Sequence, residues 1–416
     1  MIRGIPAVTI RGDTAVTEIG AFVDISYTPE QQALREELRT YFAELMTPER
    51  REALATTTGE YGSGTVYRDI VQQMGKDGWL TLGWPEEYGG QNRSAMDQLI
   101  FTDEAAIAGA PVPFLTIDSV APTIMHYGTK EQKEFFLPRI SAGELHFSIG
   151  YSEPGAGTDL ASLRTTAVRD GDEWVINGQK MWTSLIAYAD YVWLAARTDP
   201  DAKKHKGISV FIVPTDAPGF SWTPVHTMAG PDTSATYYEN VRVPASALVG
   251  EVNGGWALIT NQLNHERVAL TSAGPVLSAL AEVRRWAQQT RLPDGRRVID
   301  QEWVQINLAR VHAKAEYLQL MNWDIASSAG TTPLGPEAAS ANKVFGTEFA
   351  TEAYRLLMEI LGPAATVRQN SAGALLRGRI ERMHRSSLIL TFGGGTNEVQ
   401  RDIIAMTALG LPPSKR

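Results

Sequence analysis

Gly150-Tyr151-Ser152-Glu153-Pro154-Gly155-Ala156-Gly157-Thr158-Asp159 stands where the chain changes texture, and its surroundings decide the fold. Upstream, Thr28-Pro29-Glu30-Gln31 opens a helix: Thr is the N-cap, Pro sits in the first turn, and Gln holds the capping-box position. Leu34, Leu38, Tyr41, Phe42 and Leu45 then recur at helical spacing. Tyr67–Met74, Met96–Ala108 and Lys130–Leu137 read as further helices, so residues 27–145 form a helical lobe. Downstream, Glu173–Gly178 reads as a strand and turn. Tyr191–Ala196, Ile208–Val213 and Val241–Val243 are short β-branched or aromatic runs bounded by Gly, Pro and Asp. They predict a small antiparallel sheet or barrel reaching about Gly250. Leu263–Gln289, Asp300–Ser327 and Ser340–Leu361 are again long and helical in period. The fold class is α+β: a helical domain over 25–145, a β-domain over 146–253 and a helical bundle over 254–416. Residues 1–24 are expected to be a loosely ordered leader.

Composition narrows the chemistry. At 416 residues the chain is long enough for two or three lobes, and 43% hydrophobic with 20% charged residues excludes a disordered or fibrous protein. No apolar run approaches a membrane span, and the first 24 residues carry no apolar signal-peptide core. A net charge of −9 argues against a nucleic-acid footprint. The absence of Cys removes disulfides, thiolate catalysis, Fe–S clusters and cysteine-ligated zinc, and points to the cytoplasm.

Familiar catalytic patterns are also missing. His265-Glu266-Arg267-Val268-Ala269 lacks the second His of a zinc protease, and no Gly-x-Ser-x-Gly elbow or Walker loop is present. Gly155-Ala156-Gly157 is followed by Leu160 where a dinucleotide fingerprint needs its third Gly, which speaks against nicotinamide on a Rossmann sheet. Three small-residue segments do invite a ligand. In the first, Ser152 and Thr158 offer hydroxyls beside glycines; an ordinary interdomain turn would read the same way. The second, Lys180-Met181-Trp182-Thr183-Ser184, sets an indole beside hydroxyls, although a core Trp is the plainer reading. The third, Gly393-Gly394-Gly395-Thr396-Asn397-Glu398, opens the last helix, whose N-terminus suits an anion; a loop-to-helix turn needs no ligand.

Together the segments are more specific. GWLTLGWPEEYGG (78–90), YGTKEQKEFFLPRISAGE (127–144), YSEPGAGTDLAS (151–162), INGQKMWTS (176–184), YENVRVP (238–244) and GGTNEVQRDII (394–404) stand in an order that resembles the acyl-CoA dehydrogenase family from Ile25 onward. Within it the chain is most similar to actinobacterial enzymes of cholesterol side-chain degradation, which work as α2β2 complexes. The resemblance implies an N-terminal helical domain, a middle β-domain and a C-terminal four-helix bundle, with FAD between the last two. It implies flavin contacts from Tyr151, Ser152, Gly157 and Thr158, with Trp182 and Ser184 against the isoalloxazine. Thr396 and Glu398 would hold the ribose-pyrophosphate region, and Thr158, Arg267 and Gly393 would border the acyl-CoA. Tyr151 departs from the aliphatic residue common at that position.

The implied reaction takes the α-proton of an acyl-CoA while the β-hydride leaves to the flavin. Many members place the catalytic carboxylate just before the final Gly-Thr pair. Here that position is Gly394, and only its N–H is left to bind the thioester oxygen. A second family position for the base falls on Glu266, whose burial beside the flavin would raise its pKa. Without the family context, Glu266–Arg267 would read as a surface pair. Gly393-Gly394-Gly395 also removes side-chain volume, which favours a bulky, steroid-like acyl group unless the glycines only serve the turn.

The partner surface departs from the family as well. Homotetrameric members cover a neighbour's flavin with an Arg-x-x-Phe-Gly turn and a Gln-x-x-Gly-Gly segment. Here these read Arg291-Leu292-Pro293-Asp294-Gly295 and Glu359-Ile360-Leu361-Gly362-Pro363. The stacking Phe, the amide donor and a backbone N–H are lost together, which implies a second, dehydrogenase-like subunit completing an α2β2 assembly. An electron acceptor such as electron-transfer flavoprotein is expected; an oxidase using O2 and a non-catalytic scaffold subunit are the alternatives.

Overall fold

The computed structural model describes residues 25–56, 65–228, 230, 232–269, 271–329, 334–369 and 371–413. The expected leader over 1–24 lies outside them.

The first lobe is helical. It comprises α1 (Pro29–Leu45), α2 (Pro48–Thr56), α3 (Thr65–Lys76), α4 (Ala95–Ala108), a π-helical turn (Leu115–Val120), α5 (Ala121–Tyr127) and α6 (Lys130–Ser141). Three starts are built alike. Thr28, Ser94 and Thr129 each accept the N–H three residues on, while Gln31, Asp97 and Gln132 reach back to the cap N–H. The lobe's core joins Leu34, Leu38 and Phe42 of α1 to Ile70, Val71 and Met74 of α3 and Phe101 of α4. Glu104 is buried there, with Arg35 Nε at 2.6 Å and Arg39 Nε at 3.0 Å from its two oxygens.

The middle layer is an eight-stranded sheet among the described residues. Its strands are β1 (Phe147–Gly150), β2 (Thr166–Asp170), β3 (Glu173–Lys180), β4 (Tyr191–Arg197), β5 (Ile208–Pro214), β6 (Phe220–Val225), β7 (Thr233–Pro244) and β8 (Leu248–Val249). Their order is β6-β7-β3-β2-β4-β5-β8, with β1 beside β4. The antiparallel expectation needs correction, because β1 runs parallel to β4 along its length and β2 meets β4 parallel at Thr166–Arg197. Gly178 is likewise no turn. β3 runs through it to Lys180 with a bulge after Ile176, and a Cβ at Gly178 would lie 2.5 Å from Thr165 Oγ1. Close backbone approach explains this glycine.

β4 reads as an unbroken apolar run because both faces are covered. Trwo layers meet on it: Trp193 and Ala195 face a core shared with α5, α6 and α7, while Val192, Leu194 and Ala196 face Trp174, Ile176 and Phe211.

The C-terminal part contains α7 (Gly255–Ala269), α8 (Gly274–Gln289), α9 (Glu302–Ser328) and α10 (Pro336–Leu361), which form the bundle, then α11 (Arg379–Ser387) and α12 (Asn397–Thr407), both packed on α10. The single helix expected over Leu263–Gln289 is two. Pro275 in the first turn of α8 starts the second. At the break, Ser272 Oγ donates to Asp103 Oδ1 at 2.6 Å and accepts the Gly274 N–H at 3.0 Å, tying the bundle to α4.

Candidate active site

The loop 151–159 leaves the end of β1 and is pinned from beneath by a buried ion pair. Lys180, the last residue of β3, is fully buried. Its Nζ lies 2.9 Å from Glu153 Oε1 and 3.0 Å from the Tyr151 carbonyl. Glu153 also accepts the N–H groups of Arg164 at 2.7 Å and Thr165 at 2.8 Å. Burial alone would raise the Glu153 carboxyl, but the Lys180 charge and these donors outweigh it and hold it below its ordinary value. Burial pulls the Lys180 ammonium downward, and the Glu153 charge only partly offsets that. A tight turn, with Glu153 and Ala156 exchanging backbone hydrogen bonds at 3.0 and 3.1 Å, then presents Gly155, Gly157 and Thr158 outward.

These two glycines have no internal explanation. Neither has positive φ, and a Cβ on either would meet nothing within 4 Å. Room is left above the loop that the described residues do not use. Ser152 is half-buried, and its carbonyl accepts the Met181 N–H at 2.8 Å, which couples the loop to the second segment.

That segment is strained. Trp182 and Leu185 have φ of +65° and +63°, conformations rare for large side chains, and the Trp182 side chain is 55% exposed. The backbone is held on both sides. Thr183 N–H donates to the Ser234 carbonyl at 2.9 Å, and Ser148 Oγ donates to the Ser184 carbonyl at 2.7 Å. The Ser184 and Thr233 hydroxyls are 3.4 Å apart. Trp182 is therefore a presented indole, not the core residue that its composition also allowed.

The third segment follows α11. Arg385 of α11 donates to the Met228 carbonyl in the β6–β7 connection, which ties α11 to the loop before Thr233. Gly394 and Gly395 take φ of +67° and +92°. The buried Lys343 donates to the Gly395 carbonyl at 2.8 Å and to Asn397 Oδ1 at 2.7 Å. Thr396 caps α12 by accepting the Val399 N–H at 3.3 Å. Glu398 lies exposed in that first turn, where its own N–H and the Thr396 hydroxyl hold its carboxyl below the usual range. Gly393 differs from its neighbours: its φ is not positive, and an added Cβ would meet only the Ile389 carbonyl at 3.3 Å.

Helix α7 meets the first segment. Tyr151 turns its ring inward among Ile149, Trp193 and Leu258, and its hydroxyl receives the Trp193 indole N–H at 3.0 Å and donates to Gln262 Oε1. The Tyr151 ring is thus a core group. Gln262 is fully buried, and its Nε2 has no hydrogen-bond partner, a cost of about 1–3 kcal/mol. Positions 266 and 267 lie on α7, but the side chains of Glu266 and Arg267 are outside the described residues.

Lys180, Lys343, Thr233 and Gln262 were not singled out from sequence. Lys180 was quoted inside a motif without a role of its own, and Gln262 sits one helical period before Glu266, where spacing could have found it. Thr233 opens a strand that sequence reading placed eight residues later.

The arrangement has a floor of small residues, a presented indole, hydroxyls and a capped helix N-terminus. It suits a flat aromatic ligand with a polar tail. Comparison with known proteins gives the family. The chain matches the models for the acyl-CoA dehydrogenase N-terminal domain over residues 28–144, middle domain over 148–241 and C-terminal domain over 253–409. It is 75% identical to acyl-CoA dehydrogenase FadE26 of Mycobacterium tuberculosis (strain ATCC 25618 / H37Rv) over 398 residues, covering 94% of this chain and 100% of the relative. It is 46% identical to FadE29 of the same organism, covering 94% and 99%. Among solved structures, the ChsE4-ChsE5 complex from Mycobacterium tuberculosis superposes with a TM-score of 0.88 at 75% identity, covering 94% of this chain and 100% of that one. The Tcur3481-Tcur3483 steroid ACAD gives a TM-score of 0.87 at 49% identity, with coverage of 94% and 100%. With three consecutive domains matched and relatives aligned across nearly the whole length, this chain belongs to the acyl-CoA dehydrogenase family and is an oxidoreductase.

Proposed function

We propose that this chain binds FAD and desaturates a bulky, steroid side-chain acyl-CoA between its α and β carbons, working with a second, dehydrogenase-like subunit. The observation that supports the cofactor most directly is the unused room at Gly155 and Gly157 beside the strained, exposed Trp182. Ser152, Gly157, Thr158 and the Tyr151 backbone would hold the flavin from the loop, and Trp182 and Ser184 from the end of β3. Thr396 would serve through its place at the α12 N-terminus. Glu398 is ionised, so it suits ribose or ribityl hydroxyls rather than phosphate. FAD, when bound, supplies the two-electron acceptor for the β-hydride.

The chain supplies the rest. Glu266 takes the α-proton, since position 394 carries no side chain. The Gly394 N–H donates to the thioester oxygen, where charge builds as the proton leaves. Thr158, Arg267 and Gly393 border the substrate. A bulky acyl group is favoured because Gly393 is not required by its own backbone. The steroid relatives point the same way.

The heteromer rests on the lending surface. Asp294 is engaged by Arg296, with Nε at 2.8 Å and the Arg296 N–H at 3.0 Å. Glu359 pairs with Arg355 and accepts from Asn307 Nδ2 at 3.3 Å. Both carboxylates are committed within the chain and offer a neighbour's FAD no stacking ring and no amide. The crystallised ChsE4-ChsE5 and Tcur3481-Tcur3483 relatives are complexes of two named components. We place the protein in the cytoplasm. Among the described residues no helix is long and apolar enough to cross a membrane.

The test is anaerobic mixing of CoA thioesters with the chain expressed alone and with a neighbouring dehydrogenase-like gene product. Flavin bleaching by a steroid side-chain acyl-CoA in the co-expressed complex, and reoxidation by electron-transfer flavoprotein faster than by O2, is expected. Full FAD occupancy and activity from the chain alone would refute the heteromer, and a colourless complex would refute the enzyme.

A further inference from the structure

We propose that Asn397 is a positioning residue: seated on α10, it fixes the aim of the 394–396 backbone at the thioester carbonyl. This role rests on the reading of the Gly394 N–H as a donor to that oxygen.

The turn cannot hold itself. Gly393, Gly394 and Gly395 have no side chains to pack, and glycine loses more freedom on ordering than any other residue. Its anchorage comes from outside. Within α12 only Asn397 and Gln400 are buried, both are polar, and both are tied to α10. Ser340 Oγ donates to Gln400 Oε1 at 2.8 Å, and Gln400 Nε2 donates to the Gly394 carbonyl at 3.4 Å. Lys343 Nζ donates to the Gly395 carbonyl at 2.8 Å and to Asn397 Oδ1 at 2.7 Å. Asn397 Nδ2 donates onward to Thr347 Oγ1 and Glu348 Oε1, both at 3.1 Å.

Donor and acceptor roles leave Asn397 one orientation. An ammonium only donates, so the Lys343 side of the amide must be its oxygen. Arg401 pairs with both Glu348 oxygens, at 2.8 and 2.9 Å, and holds that carboxyl below its ordinary range. An ionised carboxylate only accepts, so the Glu348 side must be the NH2 group. This seam is directional, whereas an apolar contact of the same size would let α12 slide. A trans peptide carries its C=O and N–H on opposite edges. Holding the Gly394 and Gly395 carbonyls therefore turns the N–H groups of Gly395 and Thr396 away from their donors. The Gly394 N–H, one peptide earlier, takes its aim from the same hold.

The experiment uses the FAD-loaded complex and two readouts. One is anaerobic flavin bleaching by a steroid side-chain acyl-CoA. The other is the infrared carbonyl stretch of a bound, isotope-labelled acyl-CoA that has no α-hydrogen and cannot react. A hydrogen bond to a carbonyl lowers that stretch. Asn397→Leu is expected to slow bleaching about 10-fold at saturating substrate, less than the roughly 100- to 1,000-fold cost of losing an oxyanion donor outright. The half-saturating concentration and the FAD content should stay within about twofold of wild type, since ground-state binding is kept. The carbonyl band, lowered in wild type relative to the free thioester, should return part of the way. If Asn397→Leu does not fold or does not hold FAD, Ser340→Ala takes its place. It releases Gln400 and should slow bleaching about threefold, with a smaller return of the band. Wild-type bleaching in the folded variant, or slower bleaching with an unmoved band, would overturn the proposal and leave the Gly394 reading intact. A wild-type band no lower than that of the free thioester would overturn both.

Discussion

Gly155 and Gly157 resemble Gly394 and Gly395 in sequence, since each pair sits in a short loop that the family motifs assign to the same ligand. Their physical reasons are opposite. Gly394 and Gly395 are demanded by the chain itself, because φ of +67° and +92° is a region that side chains avoid. At Gly395 an added Cβ would also lie 2.6 Å from Gln400 Nε2. Gly155 and Gly157 are demanded by nothing among the described residues, with ordinary φ and open space beyond. The fixing charges differ too. The 151–159 loop hangs on an ion pair, Glu153–Lys180, whereas Lys343 holds the 393–395 turn through a neutral carbonyl and an amide oxygen. A glycine with open space beyond it and a glycine required by its own turn are thus separable in structure though not in sequence.

The largest expected effect is at the ion pair. Glu153→Gln leaves Lys180 as a buried charge without its counter-ion and should cost about 3 kcal/mol at pH 7. Because the folded Glu153 pKa lies below its ordinary value, its stabilisation is present above about pH 4.5 and lost as pH falls through the folded value. Denaturation of both proteins from pH 7 to 3 should therefore show the gap closing only below about pH 4.5. A gap independent of pH would mean that the pair does not hold the loop.

Gly395→Ala comes next, at about 2 kcal/mol from strain and the Gln400 contact. Gly157→Ala should leave the melting temperature of the FAD-free protein unchanged while weakening FAD retention about 10-fold. Equal stability losses in the two variants would break the distinction. The smallest effect is on selectivity. Gly393→Val should slow a steroid acyl-CoA more than octanoyl-CoA, because the added side chain takes acyl-pocket volume, while its Cβ crowds the Ile389 carbonyl at 3.3 Å equally for both substrates. Equal losses for both substrates would assign Gly393 to the turn.

Local signals made much of the fold legible. The capping box at Thr28 and the apolar periodicity of α1 are written within a few residues. The sheet was less legible, since its pairings are long-range. β7 is 12 residues long, yet only Val241–Val243 read as strand, because Ser234, Tyr237 and Glu239 break the apolar pattern. β6 escaped through its exposed Ser221, Trp222 and Thr223. The site motifs were visible as short words, but the buried cations that hold them were not. A lysine's burial depends on which residues the fold brings over it, and Lys343 lies about fifty residues from the turn it supports.

A base on α7 in place of one at position 394 is tested by anaerobic flavin bleaching in Glu266→Gln. The complex should stay yellow, bind the acyl-CoA and bleach at least about 100-fold more slowly than wild type. Bleaching at the wild-type rate would contradict the account.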